Sequence, residues 1–146
     1  MKNPLLFLLV SIIFIACNND DDSTSVSYTL ISENNLNGGE GIPKQNLVIT
    51  DDTTWSNLIT SMDSENNVSD SFTETTIDFS TYTVIAVFDE VRPSSAYGLE
   101  VGIFQDVSNI IVDVNYIRFG GGAFTIVKQP FYIVKMENSN LPVLFQ

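Results

Sequence analysis

The chain has 146 residues, 44% of them hydrophobic, with eighteen acids against six bases, one cysteine and no histidine. A formal charge of −12 excludes phosphate-led nucleic-acid binding, which needs a basic footprint, and electrostatic attachment to anionic lipid. One cysteine excludes an internal disulfide framework, so the core alone must hold the fold, and this length suffices for one domain.

The chain begins MKNPLLFLLVSIIFIA (1–16), a single base followed by an apolar run broken only by Ser11. The run is short of the ~20 apolar residues that a permanent bilayer span needs and fits a cleaved secretory signal. The stretch FIAC (14–17) ends in the only cysteine. It resembles a bacterial lipobox, in which a small residue precedes a cysteine that is diacylated and becomes the mature N-terminus. The resemblance implies lipidation of Cys17 and placement in the bacterial cell envelope at the outer membrane, since two or more acyl chains give stable anchoring. Residues 17–25 then form an acidic tether, because NNDDDSTS (18–25) is polar and aperiodic. An acid run directly behind the cysteine also resembles lipoprotein surface-export signals, and periplasmic and surface placements both stay open.

The domain is expected over residues 26–146. VSYTLI (26–31) reads as a strand, SENNLNGGEGIPKQ (32–45) as a loop and NLVIT (46–50) as a second strand. Within DDTTWSNLITSMDS (51–64), Trp55, Leu58, Ile59 and Met62 recur at i, i+3, i+4 and i+7. That spacing predicts one helix over about 52–62, its N-terminus capped by Asp51 or Asp52 and its apolar stripe laid on a sheet. YTVIAVFDEV (82–91) is almost continuously apolar, as in a strand buried on both faces. YGLEVGIFQ (97–105) alternates, with Tyr97, Leu99, Val101 and Ile103 on one face. IIVDVNYIRF (110–119) places Ile110, Val112, Val114 and Tyr116 together. Further strands are expected at 124–129 and 130–138, with PVLF (142–145) closing an edge. The pattern predicts an α+β domain: a meander-like, mainly antiparallel sheet or a small, partly open barrel with one packed helix.

The residues offer little catalytic chemistry. Without histidine, Ser-His-Asp and Cys-His sites are excluded, and so is the commonest zinc ligand. No Ser-x-x-Lys motif occurs, and Thr125 and Lys128 would point to opposite faces of a strand. Asp89 and Glu90, adjacent on a strand, should likewise diverge into solvent. DSENNVSDSFTE (63–74) places Asp63, Glu65, Asn67, Ser69, Ser71 and Glu74 at calcium-loop positions, but Val68 replaces the turn glycine. Gly120–Gly122 lacks the helix and Lys-Ser/Thr of a phosphate cradle. No catalytic residue, metal ligand or cofactor is expected.

The stretch DFSTYTVIAVFDEVRPSSAYGLEVGIF (78–104), with QPFYIVKMENSNLP (129–142) and VITDDTTWSNLI (48–59), resembles the C-terminal domain of protease-complex lipoprotein subunits (PrcB-type) over about residues 46–146. Where that family carries Gly after the apolar strand and Thr-Gly-Gly-Tyr at the turn, this chain has Asp89 and Ser94-Ser95-Ala96-Tyr97. The resemblance implies a non-catalytic, membrane-anchored module that stabilises or assembles with a secreted protease. If the turn is an interface, Arg92, Pro93, Ser95 and Tyr97 are its candidate anchors, Arg and Tyr being frequent at interface centres. The competing reading places Tyr97 in the core and Arg92 in solvent. Phe119, Phe124 and Phe131, around the glycine tip, would form a sticky patch if exposed. The expected function is therefore a lipid-anchored, extracytoplasmic, non-catalytic binding or chaperone-like module. The alternative is a lipoprotein holding a small ligand or glycan in a barrel mouth.

Overall fold

The structure, a computed structural model, describes residues 23–93, 96–120 and 126–146. Cys17, Ser95, Phe124 and Thr125 lie outside the described residues, as do the expected leader (1–16) and most of the expected tether (17–25). Eight strands, β1 (Thr24–Ser25), β2 (Tyr28–Leu36), β3 (Gln45–Ile49), β4 (Tyr82–Phe88), β5 (Tyr97–Gln105), β6 (Ile110–Arg118), β7 (Gln129–Glu137) and β8 (Val143–Phe145), form two sheets. One helix, α1 (Asp52–Met62), and one 3-10 turn, Val68–Ser71, separate β3 from β4.

The fold is α+β and mainly antiparallel, as the pattern predicts. One sheet has the order β2-β7-β4-β3 and the other β1-β5-β6-β8. Neither order is a simple meander, and the sheets stay open rather than closing into a barrel. They stack instead as a helix, a central sheet and an outer sheet. Val84, Ala86 and Phe88 of β4 join Phe131 and Ile133 of β7 under Trp55, Leu58 and Met62 of α1. The alternate residues Ile85, Val87, Val134 and Met136 meet Leu99, Val101, Ile103, Ile110, Val112 and Val114 of the outer sheet. The unbroken apolar run of β4 follows from this: it is a strand with a hydrophobic layer on each face. The space between the sheets is filled by these side chains, so no barrel mouth forms there.

Local chemistry explains the helix. Asp51 caps it, its carboxylate accepting the Thr54 N–H at 2.9 Å and the Thr54 hydroxyl at 2.7 Å. Trp55 is clamped where the stripe meets the sheet. Its indole N–H donates to the Thr75 carbonyl at 2.7 Å, and its ring lies 6.2 Å from Phe72. Phe72 approaches Phe131, and Phe131 approaches Phe88, at 6.4 and 6.0 Å. An aromatic row thus runs from the helix to the last residue of β4.

Three boundaries differ from those the local pattern predicts. The expected loop at 32–45 begins too early, because β2 continues to Leu36 by pairing with Phe131, Pro130 and Gln129. Its Ser-Glu-Asn-Asn run has poor strand propensity, and the ladder with β7 overrides it. β4 stops at Phe88 rather than residue 91. Of the strand expected at 124–129, residues 124 and 125 lie outside the described residues; among the rest, β7 takes in only Gln129, and Lys128 makes only an isolated bridge to Arg92. β8 does close an edge, pairing in parallel with β6.

Candidate functional site

Four of the five bases among the described residues gather at one end of the two sheets. Lys44 precedes β3, Arg92 follows β4, Arg118 ends β6 and Lys128 precedes β7. The fifth, Lys135, lies elsewhere and pairs with Glu74 at 2.6 Å. The bases of an acidic chain are thus concentrated at one end, together with the carboxylates of Asp89 and Glu90.

Its centre is Asp89, the first residue past β4. Its side chain is 1% exposed and accepts Arg92 Nε at 2.7 Å, Arg92 Nη2 at 3.2 Å and Lys44 Nζ at 3.3 Å. Arg92 Nη2 also reaches Glu90 Oε1 at 3.0 Å. The expectation that Asp89 and Glu90 diverge into solvent is therefore corrected. Alternation applies only inside a strand, and the strand has already ended, so both carboxylates turn onto one guanidinium. Burial alone pushes the Asp89 carboxyl up. The Arg92 hydrogen bond, the Glu90 backbone N–H, the Arg92 charge and the Lys44 hydrogen bond together outweigh it and hold the carboxyl below its usual range. The Asp89 bond and charge in turn raise Arg92, so the pair stays ionised.

The backbone around this centre is pinned on both sides. Asp89 N–H donates to the Pro130 carbonyl at 2.9 Å, and Arg92 and Lys128 exchange N–H···O bonds of 2.8 and 2.9 Å. Buried Gln129 donates from Nε2 to the carbonyls of Ile42 and Asp89 at 2.8 and 2.9 Å, tying the 37–45 loop to the end of β4. Phe119 N–H bonds the Ala96 carbonyl at 2.7 Å.

Two tyrosines of the outer sheet complete the end. Tyr97 carries the Arg92 guanidinium 4.4 Å from its ring centre and that of Arg118 at 5.8 Å. Lys44 Nζ sits 3.8 Å from the centre of the Tyr116 ring. Each such contact is worth ~0.5–1 kcal/mol at a partly solvated site. The reading that places Tyr97 in the core and Arg92 in solvent is corrected: both are half-buried, the guanidinium lying against the ring. Pro93 is exposed beside them.

The four bases are not equivalent. Lys44 and Arg92 are neutralised by Asp89 and Glu90. Arg118 and Lys128 have no carboxylate partner among the described residues. Beside them Val91, Phe119, Ile126 and Val127 are exposed apolar side chains. Of the aromatics around the glycine tip, Phe119 is open to solvent and Phe131 is core.

Sequence reasoning finds Arg92 and Tyr97 but misses Lys44, Tyr116, Arg118 and Lys128. One signal is available. A hairpin centred on DVSN (106–109) sets Tyr97 opposite Arg118, which is the observed register. Lys44 and Lys128 need the order of the central sheet, which local pattern does not give.

The other candidates close on themselves. Asp63, first residue of the calcium-like count, accepts the Ser69 N–H and hydroxyl at 2.9 and 2.6 Å, and Glu74, the last, holds Lys135. Among the described residues no group of three or more acids, cysteines or histidines could hold a metal. No described helix is long and apolar enough to cross a membrane. Compared with protein-family models, curated proteins and solved structures, the chain has no match.

Proposed function

We propose that this chain is a lipid-anchored, extracytoplasmic, non-catalytic binding module whose basic, aromatic end docks an acidic segment of a protein partner. The observation that carries the reading is the gathering of four bases at one end, two of them without a carboxylate partner among the described residues. Position supports it. β1, where the tether enters, pairs with Gln105 and Phe104 at the far end of β5 from Tyr97. At ~3.4 Å per residue the nine-residue β5 separates the two ends by roughly 27 Å. The basic end therefore lies at the opposite end of β5 from the point where the chain enters the domain, which leaves it clear of a lipid anchor on Cys17. The lipobox-like FIAC supports the anchor. The PrcB-type resemblance supports an envelope partner such as a secreted protease.

Arg92→Glu is a poor test, because it sets a third carboxylate against Asp89 and confounds folding with binding. Arg118→Glu with Lys128→Glu reverses the other two charges and leaves the Asp89 cluster intact. The double variant should unfold at the parent temperature and lose, in crosslinking and co-purification, the partner that the parent retains. The parent's yield should itself fall with added salt. Retention of every partner by the double variant sinks the reading. Cys17→Ser should release the protein from membranes, and continued palmitate labelling of that variant would refute the anchor.

A further inference from the structure

A second surface lies where the outer sheet stops short of covering the central one. Tyr28, Leu30 and Glu33 of β2 pair with Met136, Val134 and Tyr132 of β7. Cross-strand partners share a face, and those three β7 residues belong to the layer between the sheets. Yet Leu30 is 39% exposed and Glu33 is exposed. The cause is the shortness of β1. It pairs only with Gln105 and Phe104 of the nine-residue β5, and no other described strand flanks β5 on that side.

The edge so left has a definite phase. The Val26 N–H donates to the Ile103 carbonyl at 2.9 Å, and the Tyr28 hydroxyl to the Val101 carbonyl at 3.0 Å. Backbone groups alternate in direction along a strand, so the Leu99 N–H and carbonyl and the Val101 N–H point the same way. No ladder partner reaches them among the described residues. They open on a trough of about 470 Å³, lined by Leu99 and Val101 with Glu33, Glu100, Asp113 and Tyr132. Unpaired edge groups of this kind are a template for another strand.

Charge selects which strand. The trough has three carboxylates in its lining and no lysine or arginine. None of the three is in an ion pair among the described residues. Glu33 and Glu100 come from different sheets, and both charges act on the Tyr132 hydroxyl. The described acids form no group that could hold a metal. A second copy of this chain, at −12, would bring like charge to the trough.

We propose that an extended basic segment of a protein partner adds as a strand beside β5, antiparallel as β1 is, and pairs with Leu99 and Val101. Its inward side chains are apolar and cover Leu30 and Tyr132. The lysines or arginines that alternate with them meet Glu100 and Asp113 on the outer face, and Glu33 adds to the same field. The surface lies between the two ends of β5 and does not rest on the reading of the basic end.

The test uses the ¹⁵N-labelled full chain in detergent micelles and a capped heptapeptide alternating valine and lysine, with a valine–glutamate heptapeptide as control. At millimolar concentration the lysine peptide should shift the amides of residues 98–102 saturably. It should also slow hydrogen exchange at Leu99 and Val101, whose N–H groups gain partners. The glutamate peptide should do neither. In antiparallel pairing the valine N–H groups face β5, so N-methylation of the valines should abolish binding and N-methylation of the lysines should spare it. Glu33→Gln with Glu100→Gln, both at exposed positions, should weaken the lysine peptide about tenfold. The Arg118→Glu, Lys128→Glu variant should bind it as the parent does. The proposal is overturned if the lysine peptide moves no amide, if the shifts map elsewhere, if the glutamate peptide binds as well, or if valine N-methylation is tolerated.

Discussion

Replacing Asp89 by asparagine keeps the shape of the side chain and removes its charge. The parent carboxylate accepts two guanidinium bonds, at 2.7 and 3.2 Å, and the Lys44 ammonium at 3.3 Å. Asparagine retains one oxygen for Arg92 Nε and turns an NH₂ group toward a donor. Hydrogen bonds to charged groups contribute ~1.5–3 kcal/mol each, and stranding a charge in a buried pair costs about 3–5 kcal/mol. Relief is available here: Lys44 is 45% exposed, and Arg92, 21% exposed, keeps Glu90. The net loss should be about 2–3 kcal/mol, or roughly 10 °C in melting temperature for a domain of this size. Urea unfolding followed by Trp55 fluorescence reads it directly, since Trp55 is the only tryptophan and is buried. The pH dependence has a definite sign. The folded-state Asp89 carboxyl lies below its usual value, so its contribution is fully present above ~3.9 and is lost as pH falls through the lower folded value. The gap between parent and variant should therefore be full at neutral pH and shrink in acid below that point. A variant within about 0.5 kcal/mol of the parent at neutral pH, or a gap that persists in strong acid, refutes the assignment of Asp89 as the charged hub.

Gly38 has φ +84°, and a Cβ there would lie 2.7 Å from Val91 Cγ1 and 2.9 Å from Val127 Cγ1. Gly38→Ala should cost about 2 kcal/mol, part left-handed backbone strain and part displaced valines; a neutral melting shift would mean that this loop does not brace the basic end. Burial, assisted by the Tyr28 hydroxyl, pushes Tyr132 up to about 12. The neutral ring then favours the folded state below pH ~10, and that contribution drains away between ~10 and 12. Unfolding measured on both sides of that window should show a steeper alkaline loss in the parent than in Tyr132→Phe, and parallel curves would contradict it.

Much of the fold is legible in the sequence because two periods are strong. The 55-58-59-62 spacing marks the helix, and the run from Val84 to Phe88 marks the strand sandwiched between layers. What is not legible depends on distant partners. Glu33, Asn34 and Asn35 look like loop and become strand only because β7 supplies a ladder. The order of the sheets is similarly non-local, and with it the meeting of Lys44, Asp89 and Tyr116. Asp89 escapes for a local reason: the facing rule of a strand does not extend one residue past its end. Arg92 and Tyr97 are legible because the turn that bears them is short.

The first strands bear on how the domain would carry load. β1 holds to β5 through two residue pairs, whereas β2, the next strand in the chain, holds to β7 through eight. A pull on the chain ahead of β1, against a hold at the basic end, would run along the axis of β2. The two-pair strand would peel away first and lengthen the leash by a few residues. The eight-pair ladder would then be loaded in shear, all its bonds sharing the force, instead of opening one bond at a time. Under such a pull the two strands would combine a small extensible fuse with a grip that resists, and the domain would give slightly under tension without losing its core.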